Sequence, residues 1–173
     1  MALRRVGDER DLLVAGLQTL LAIERRLEDV LPFYATQAFD VQARRGFERH
    51  AAETRQHVLT VETALRVLGA DPEGLASAAF EGLERQHGRE RESLVSAAPS
   101  ELSDLVLLTH AARIEHLEIA GYESAAQTTE ILGEGDVVEL LSANLDDERR
   151  MLDEGQAVSH RLASALARAR VGA

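Results

Sequence analysis

The chain contains no cysteine and no tryptophan, and only 3% of its 173 residues are aromatic. Without cysteine, a disulfide framework, a thiolate zinc site and a thiol nucleophile are all excluded. The sequence also lacks a run of about 18 apolar residues, so it predicts no membrane-spanning helix. Its first residues turn acidic before an apolar signal segment can form, and we therefore expect a cytoplasmic protein.

Basic residues are outnumbered, with 19 Lys and Arg against 30 Asp and Glu and a net charge of −11. Binding to phosphates requires clustered basic side chains, so we expect neither a nucleic acid nor a membrane as a partner. The sequence contains no glycine-rich phosphate loop, no HExxH, no GxSxG and no EF-hand loop. A nucleophilic hydrolase is therefore not expected.

Strong helix formers dominate the composition, and proline occurs only three times. Apolar residues recur at steps of three and four, which is typical of bundle helices. The pattern predicts helices over about 8–36, 40–68, 75–97, 101–132 and 136–170. The third is shorter, more polar and contains glycine, so we expect it to cross the bundle. We predict an all-α fold, a four-helix bundle with an additional short crossing helix.

Individual residues predict where these helices begin, end or bend. Asp40 is a good N-cap for the second helix, and Gly69 is suited to the left-handed residue after its end. Pro32 is expected to kink or fray the first helix. The chain is predicted to be one domain over 1–173, with the bundle at about 8–167 and a frayed C-terminal tail.

Each long helix carries a glutamate at an apolar seam position near its middle. These residues are Glu24, Glu53, Glu115 and Glu148, with Glu118 one turn from Glu115. A buried carboxylate is costly unless it is paired or binds a metal. In an antiparallel bundle the middles of the helices meet at one height, so the pattern predicts a carboxylate cluster that two divalent ions would neutralise.

Histidine adds nitrogen to this set. His57 lies four residues after Glu53, on the same side of the helix, and carboxylates with imidazole suit iron or manganese. The seam position between the two histidines of this helix can be assigned to Glu53 or to Thr54. His50, two turns before His57, is interpreted as a structural neighbour of the site, and the Tyr122 hydroxyl as a group that can orient a ligand carboxylate.

Four segments resemble the small bacterial ferritin-like proteins of the YciE/YciF type. They are AIERRLEDVLP, FERHAAETRQHVLTVETALRVLG, ARIEHLEIAGYESA and LDDERRMLDE. The resemblance extends over about 11–164. It implies a five-helix ferritin-like fold related to rubrerythrins, a homodimer, a di-metal centre and an association with bacterial stress responses.

The resemblance also implies a ligand set in this chain. Its members are Glu24, Glu53, His57, Glu115, Glu118 and Glu148. Met151 stands three residues after Glu148, where a histidine ligand would be expected. One metal position is therefore expected to have only oxygen donors and to fill after the position that contains His57.

Three functions follow as hypotheses. The first is a di-iron or iron/manganese protein that reacts with dioxygen or peroxide in a stress response, as a ferroxidase- or peroxidase-like oxidoreductase. The second is a dimeric structural or interaction protein with a metal site but no turnover. The third is a metal-free helical bundle that acts through its dimer contacts.

Overall fold

The structure, a computed structural model, describes residues 6–94 and 98–171. In these ranges the regular structure consists of helices, with no strand. The helices are α1 (Glu9–Gln37), α2 (Val41–Val67), α3 (Ala78–Glu92), α4 (Ser100–Leu132) and α5 (Gly135–Val171). The predicted all-α fold is confirmed. None of these five helices is both long enough and apolar enough to cross a lipid bilayer.

The ends of α2 follow the predicted chemistry. The Asp40 carboxylate accepts hydrogen bonds from the backbone N–H groups of Gln42 and Ala43, which would otherwise lack partners. Gly69 follows the helix with a φ of +66°, a conformation that costs glycine little because it has no Cβ. Both residues therefore define this helix as the sequence predicted.

Of the other helices, α1 and α5 end within one residue of the prediction, and α3 is shorter than predicted. α1 continues past Pro32 to Gln37, because one lost backbone hydrogen bond is outweighed by the buried side chains on either side of it, Leu31 and Tyr34. α3 starts later than predicted and ends at Glu92, while the last predicted residues, 95–97, lie outside the described residues. α5 is helical to Val171, although its side chains are exposed from residue 167 onwards.

The four long helices form a closed bundle. α1 packs against α2 and α4, and α5 packs against the same two helices. α3 crosses outside the bundle and packs on α4. Ion pairs of 3.0 Å between Arg26 and Glu84 and of 2.8 Å between Arg113 and Glu90 join it to α1 and α4. The predicted crossing helix is thus present.

The buried apolar side chains form two clusters, one toward each end of the bundle. The first cluster contains Leu27, Phe47 and Ile114. The second contains Leu17 and Val61 among others. Each long helix runs from one cluster to the other, so the middles of the helices enclose a separate layer between them.

Candidate metal centre

The layer between the two apolar clusters contains six buried ionisable side chains, and every long helix contributes at least one. They are Glu24 on α1, His50 and His57 on α2, Glu115 and Glu118 on α4, and Glu148 on α5. Each side chain exposes 5% of its surface or less. An ionisable group at this depth must be neutral, paired with a group of opposite charge or bound to a cation.

Five of the six residues form two overlapping groups of three that we call the His57 triad and the His50 triad. The His57 triad consists of Glu24, His57 and Glu148, and the His50 triad of His50, Glu115 and Glu148. Within each triad, one ligand atom from every residue lies within 4.8 Å of the others. Glu148 belongs to both.

Glu148 directs one oxygen at each triad. Its Oε1 atom lies 2.8 Å from Nδ1 of His57, and its Oε2 atom lies 3.3 Å from Nε2 of His50. The triads are completed by Glu24 Oε1, 3.4 Å from His57 Nδ1, and by Glu115 Oε1, 3.2 Å from His50 Nδ1. One carboxylate thus connects two sites that are otherwise made of different residues.

Glu118 is the uncompensated member of the layer. It is completely buried, and neither of its carboxylate oxygens has a hydrogen-bond partner among the described residues. Burial, and then the nearby carboxylates of Glu148, Glu24 and Glu115, raise its pKa well above the ordinary value. In the absence of a cation, these effects therefore favour the protonated form of this side chain.

The remaining carboxylates and histidines share protons. Burial raises the pKa of Glu115 to about 8 against the opposing effect of His50. Burial by itself lowers the pKa of His57, but Glu148 and Glu24 outweigh it and raise the value to about 10. Burial by itself raises the pKa of Glu148, but His50 and His57 reverse the shift and hold it below the ordinary value. Two imidazolium groups thus compensate the shared carboxylate.

The donor atoms fit a pair of metal ions. Several buried donors have no hydrogen-bond partner in the described structure, and they include Glu24 Oε2, Glu115 Oε2, His57 Nδ1 and both oxygens of Glu148. Carboxylate oxygens with one imidazole for each position suit iron or manganese, whereas calcium and magnesium prefer oxygen alone. The unpartnered donors face one another inside the bundle, as ligands of a cation do.

A second set of residues holds these donors in place. The Tyr122 hydroxyl donates a hydrogen bond to Glu24 Oε1 and accepts one of 3.0 Å from the amide of Asn144. Nε2 of His57 faces Asp147 at 3.4 Å, and Arg150 binds Asp147 at 2.9 Å. Such outer contacts orient metal ligands and select the histidine tautomer.

The structure brings together five of the six predicted site residues. The sixth, Glu53, belongs to neither triad. Its side chain is one quarter exposed, and its Oε1 atom accepts a hydrogen bond of 2.8 Å from Arg150 at the rim of the bundle. The buried seam position of this turn belongs to Thr54, which is completely buried, and Glu53 therefore points to the side.

His50 is the residue that the sequence interpretation did not place among the ligands. It supplies the imidazole that was expected to be missing beside Met151. Each triad contains one histidine, so the geometry favours two positions with nitrogen and oxygen donors over the expected oxygen-only position. The signal was present in the spacing, since buried positions 47, 50, 54, 57 and 61 follow steps of three and four and place both histidines on the seam.

Residues 8–167 match the family described as a domain of unknown function, DUF892. The chain belongs to this family. No curated protein matches the chain in sequence. The match of DUF892 includes every residue of both triads, so the metal-site geometry lies wholly inside the family domain.

Solved structures similar to this DUF892 chain are ferritin-like bundles. The E. coli stress protein YciF has a TM-score of 0.84 at 21% identity, over 92% of this chain and 99% of that one. YcfI, a candidate structural protein from Rhodopseudomonas palustris, has a TM-score of 0.77 at 26% identity, over 94% and 98%. Ferritin-like, diiron-carboxylate proteins from Bacillus anthracis str. Ames have a TM-score of 0.67 at 16% identity, over 89% and 99%. The resemblance to the YciE/YciF ferritin-like type is confirmed.

Proposed function

We propose that the protein binds two iron ions, or iron and manganese, in the two triads and reacts with dioxygen or peroxide in a bacterial stress response. The observation that carries the proposal is the position of Glu148, which directs one oxygen at each histidine. A carboxylate in that position can serve two cations at once. The names of two similar proteins, a stress protein and diiron-carboxylate proteins, agree with this function.

The chain's own residues divide the work between holding metal and excluding water. Glu24 and His57 would hold one ion, His50 and Glu115 the other, and Glu148 both. Bound iron supplies one electron per ion for the reduction of dioxygen or peroxide. The apolar clusters on either side keep water from the layer along the bundle axis, which strengthens every electrostatic contact inside it.

Glu118 and Tyr122 have separate roles in this arrangement. Glu118 has two oxygens without partners, so it is the carboxylate that can exchange a proton for a cation when the site fills. Tyr122 donates its hydroxyl proton to Glu24 Oε1, the oxygen that also faces His57, and it therefore fixes the orientation of this carboxylate in the His57 triad.

Metal stoichiometry of purified variants tests the binding. We expect two iron ions per chain in the parent, one in His50→Ala, one in His57→Ala, and a loss of both tight sites in Glu148→Gln. Glu53→Gln is the matched control because it removes a neighbouring carboxylate that belongs to neither triad, and it should retain two ions. A loss of iron in Glu53→Gln together with full occupancy in His50→Ala would contradict the assignment.

Oxidation of bound Fe(II) tests the reaction. Stopped-flow absorbance after mixing with hydrogen peroxide or dioxygen should show oxidation in the parent and in Glu53→Gln, and none above the buffer rate in Glu148→Gln. The second candidate function is a structural protein with a metal site but no turnover, which the description of YcfI favours. Two tightly bound ions without accelerated oxidation would support that function over the first.

A further inference from the structure

A cavity of about 590 Å³ opens between α2, α4 and α5 and leads to one side of the polar layer. Its walls are mainly apolar and include Phe47, Leu108 and Leu152. Its inner end is formed by His50 and Glu115, both buried and both with a polar atom that has no hydrogen-bond partner in the described structure. Pockets for small organic molecules have this size and this combination of apolar walls with few polar groups.

The charges along the cavity are distributed unevenly. Three of its lining residues are arginines, in a chain whose net charge is −11. Arg49 is paired with Glu154, and Arg161 is paired with Asp40 at 2.8 Å. Arg45 is exposed and has no ion-pair partner among residues 6–94 and 98–171. The one uncommitted charge of the lining is therefore positive, and it lies at the solvent side.

At the inner end the charged groups are already paired with one another. Glu115 and Glu148 each place a carboxylate oxygen next to a ring nitrogen of His50. An anionic group at the inner end would therefore face carboxylates and a histidine that they already compensate, whereas at the mouth it would meet the unpaired Arg45. A guanidinium also matches the two oxygens of a carboxylate through parallel hydrogen bonds. The charges therefore orient an amphipathic anion with its apolar end inward.

We propose that this cavity is a binding site for a medium-chain carboxylate, with the head group at Arg45 and the apolar tail extending toward His50. This goes beyond the function proposed above, because the walls and Arg45 bind such a molecule whether or not the triads hold metal. The apolar walls contribute through burial of the tail, and Arg45 contributes selectivity for the charged head.

Gly155 allows a direct test because it lines the cavity on α5. A Cβ atom built at this position has no neighbouring atom within 4 Å. Gly155→Leu therefore places a side chain in the cavity, and its Cβ atom meets no neighbouring atom. The substitution also replaces a glycine inside a helix with a better helix former, which favours folding. Gly88→Leu on α3 is the matched control, since its Cβ also has open space but the residue lies outside the cavity.

Calorimetric titration with octanoate, octanol and acetate measures the binding, in chelator-treated and in iron-loaded protein. We expect octanoate to bind the parent and Gly88→Leu equally in both states, and acetate not to bind. Gly155→Leu should weaken octanoate binding about tenfold or more. Arg45→Gln should weaken octanoate binding several-fold while binding of octanol is unchanged, because only the head group loses its partner.

Other outcomes overturn the proposal. Octanoate binding that is unchanged in Gly155→Leu, or absent in the parent, excludes the cavity as its site. Sedimentation analysis of the same variants tests a second copy of the chain as the occupant. If Gly155→Leu lowers the assembled mass while Gly88→Leu does not, the cavity is a subunit interface and the carboxylate proposal is wrong. Binding of octanoate in protein whose triads take up no iron would leave this proposal standing while that for iron fails.

Discussion

At the scale of single residues, the candidate site depends on groups that bind no cation themselves. Tyr122 and Asn144 form a buried chain of hydrogen bonds that ends on Glu24. Both side chains are buried between the helices, so these hydrogen bonds fix the orientation of the Glu24 carboxylate, whose Oε1 atom also faces His57. The orientation of a ligand is thus determined by residues on α4 and α5.

Tyr122→Phe should lower both stability and metal affinity. It leaves Glu24 Oε1 without its donor and removes the nearer of the two acceptors of the Asn144 amide, which costs about 1–3 kcal/mol in the free energy of unfolding. Metal affinity should fall about 10- to 100-fold, as for other residues that orient metal ligands. Thermal unfolding with and without iron measures both effects.

The second tyrosine provides the control for that experiment. The chain has two tyrosines, and the hydroxyl of Tyr34 has no hydrogen-bond partner in the part of the chain that the structure describes. Tyr34→Phe should therefore leave iron affinity unchanged. Equal melting temperatures and affinities in Tyr122→Phe and the parent would contradict the role of the hydrogen-bonded chain.

Glu118 and Glu148 should respond in opposite ways to the same substitution. Glu118→Gln removes a buried carboxyl group whose pKa is raised by burial and by its neighbours, so the chelator-treated protein should gain about 1–3 kcal/mol in the free energy of unfolding at pH 8. Stability increases because, at this pH, the folded parent must retain a proton on Glu118 that the unfolded chain has already released. The gain should shrink as the pH falls toward 4.5.

Glu148→Gln should instead destabilise the chelator-treated protein. Glu148 is the carboxylate that compensates His50 and His57, and its loss leaves two buried imidazolium groups with fewer partners. Chemical denaturation of both variants at pH 8 compares the signs directly. A loss of stability in both variants would show that Glu118 is compensated in the folded chain.

At the scale of helices, α2 shows what the sequence could and could not predict. Its ends followed from Asp40 and Gly69 because capping is a local effect. Five residues of the buried polar layer followed from glutamates and a histidine on apolar seams, because periodicity reports burial. The choice between Glu53 and Thr54 did not follow, since Arg150, which draws Glu53 to the side, comes from α5 and such contacts are invisible in local sequence.

The docking of α3 on the bundle has a pH dependence of its own. His87 of α3 and His110 of α4 stack with ring centroids 4.2 Å apart, and Tyr34 contacts both rings edge-on. Burial, and then Arg91, lower the pKa of His87. Burial, and then His87, lower the pKa of His110 to about 3. Both rings are therefore neutral when the helices are packed.

Acidification should loosen this contact. In the unfolded chain, His110 takes up a proton at a pKa near 6.5, whereas in the folded chain it does so only near pH 3. The contribution of His110 to the free energy of unfolding is therefore complete above pH 6.5 and is lost as the pH falls toward 3. His110→Phe keeps an aromatic ring without the proton site, so between pH 7.5 and 5.5 it should lose about 1 kcal/mol less stability than the parent. Urea unfolding at the two pH values measures the difference, and parallel losses would contradict it.

At the scale of the whole molecule, metal would connect all four long helices. Binding to the folded state alone stabilises by about 2.7 kcal/mol at a ligand concentration 100 times Kd, which for a chain of this length corresponds to about 5–10 °C in Tm. Iron should raise Tm by that amount, and a chelator should reverse the change. Calorimetry of the parent and of Glu148→Gln measures it, and an iron-dependent rise of equal size in both would place the metal elsewhere.

The assembly of the molecule remains a prediction from the resemblance to the YciE/YciF type. We expect a homodimer, with a mass twice the 18.9 kDa of the chain. Sedimentation equilibrium before and after iron loading measures the mass. A single-chain mass at micromolar concentration in both states would show that the bundle and its triads are complete without a partner.

The dependence of both triads on Glu148 also has a consequence during protein synthesis. Glu148 lies on α5, which leaves the ribosome after the other four helices. A nascent chain that has completed α1 through α4 already contains the four other triad residues, Glu24, His50, His57 and Glu115, but neither triad is complete without Glu148. Chains that stop before α5 therefore cannot take up metal in the proposed way, and uptake would report that α5 has been synthesised.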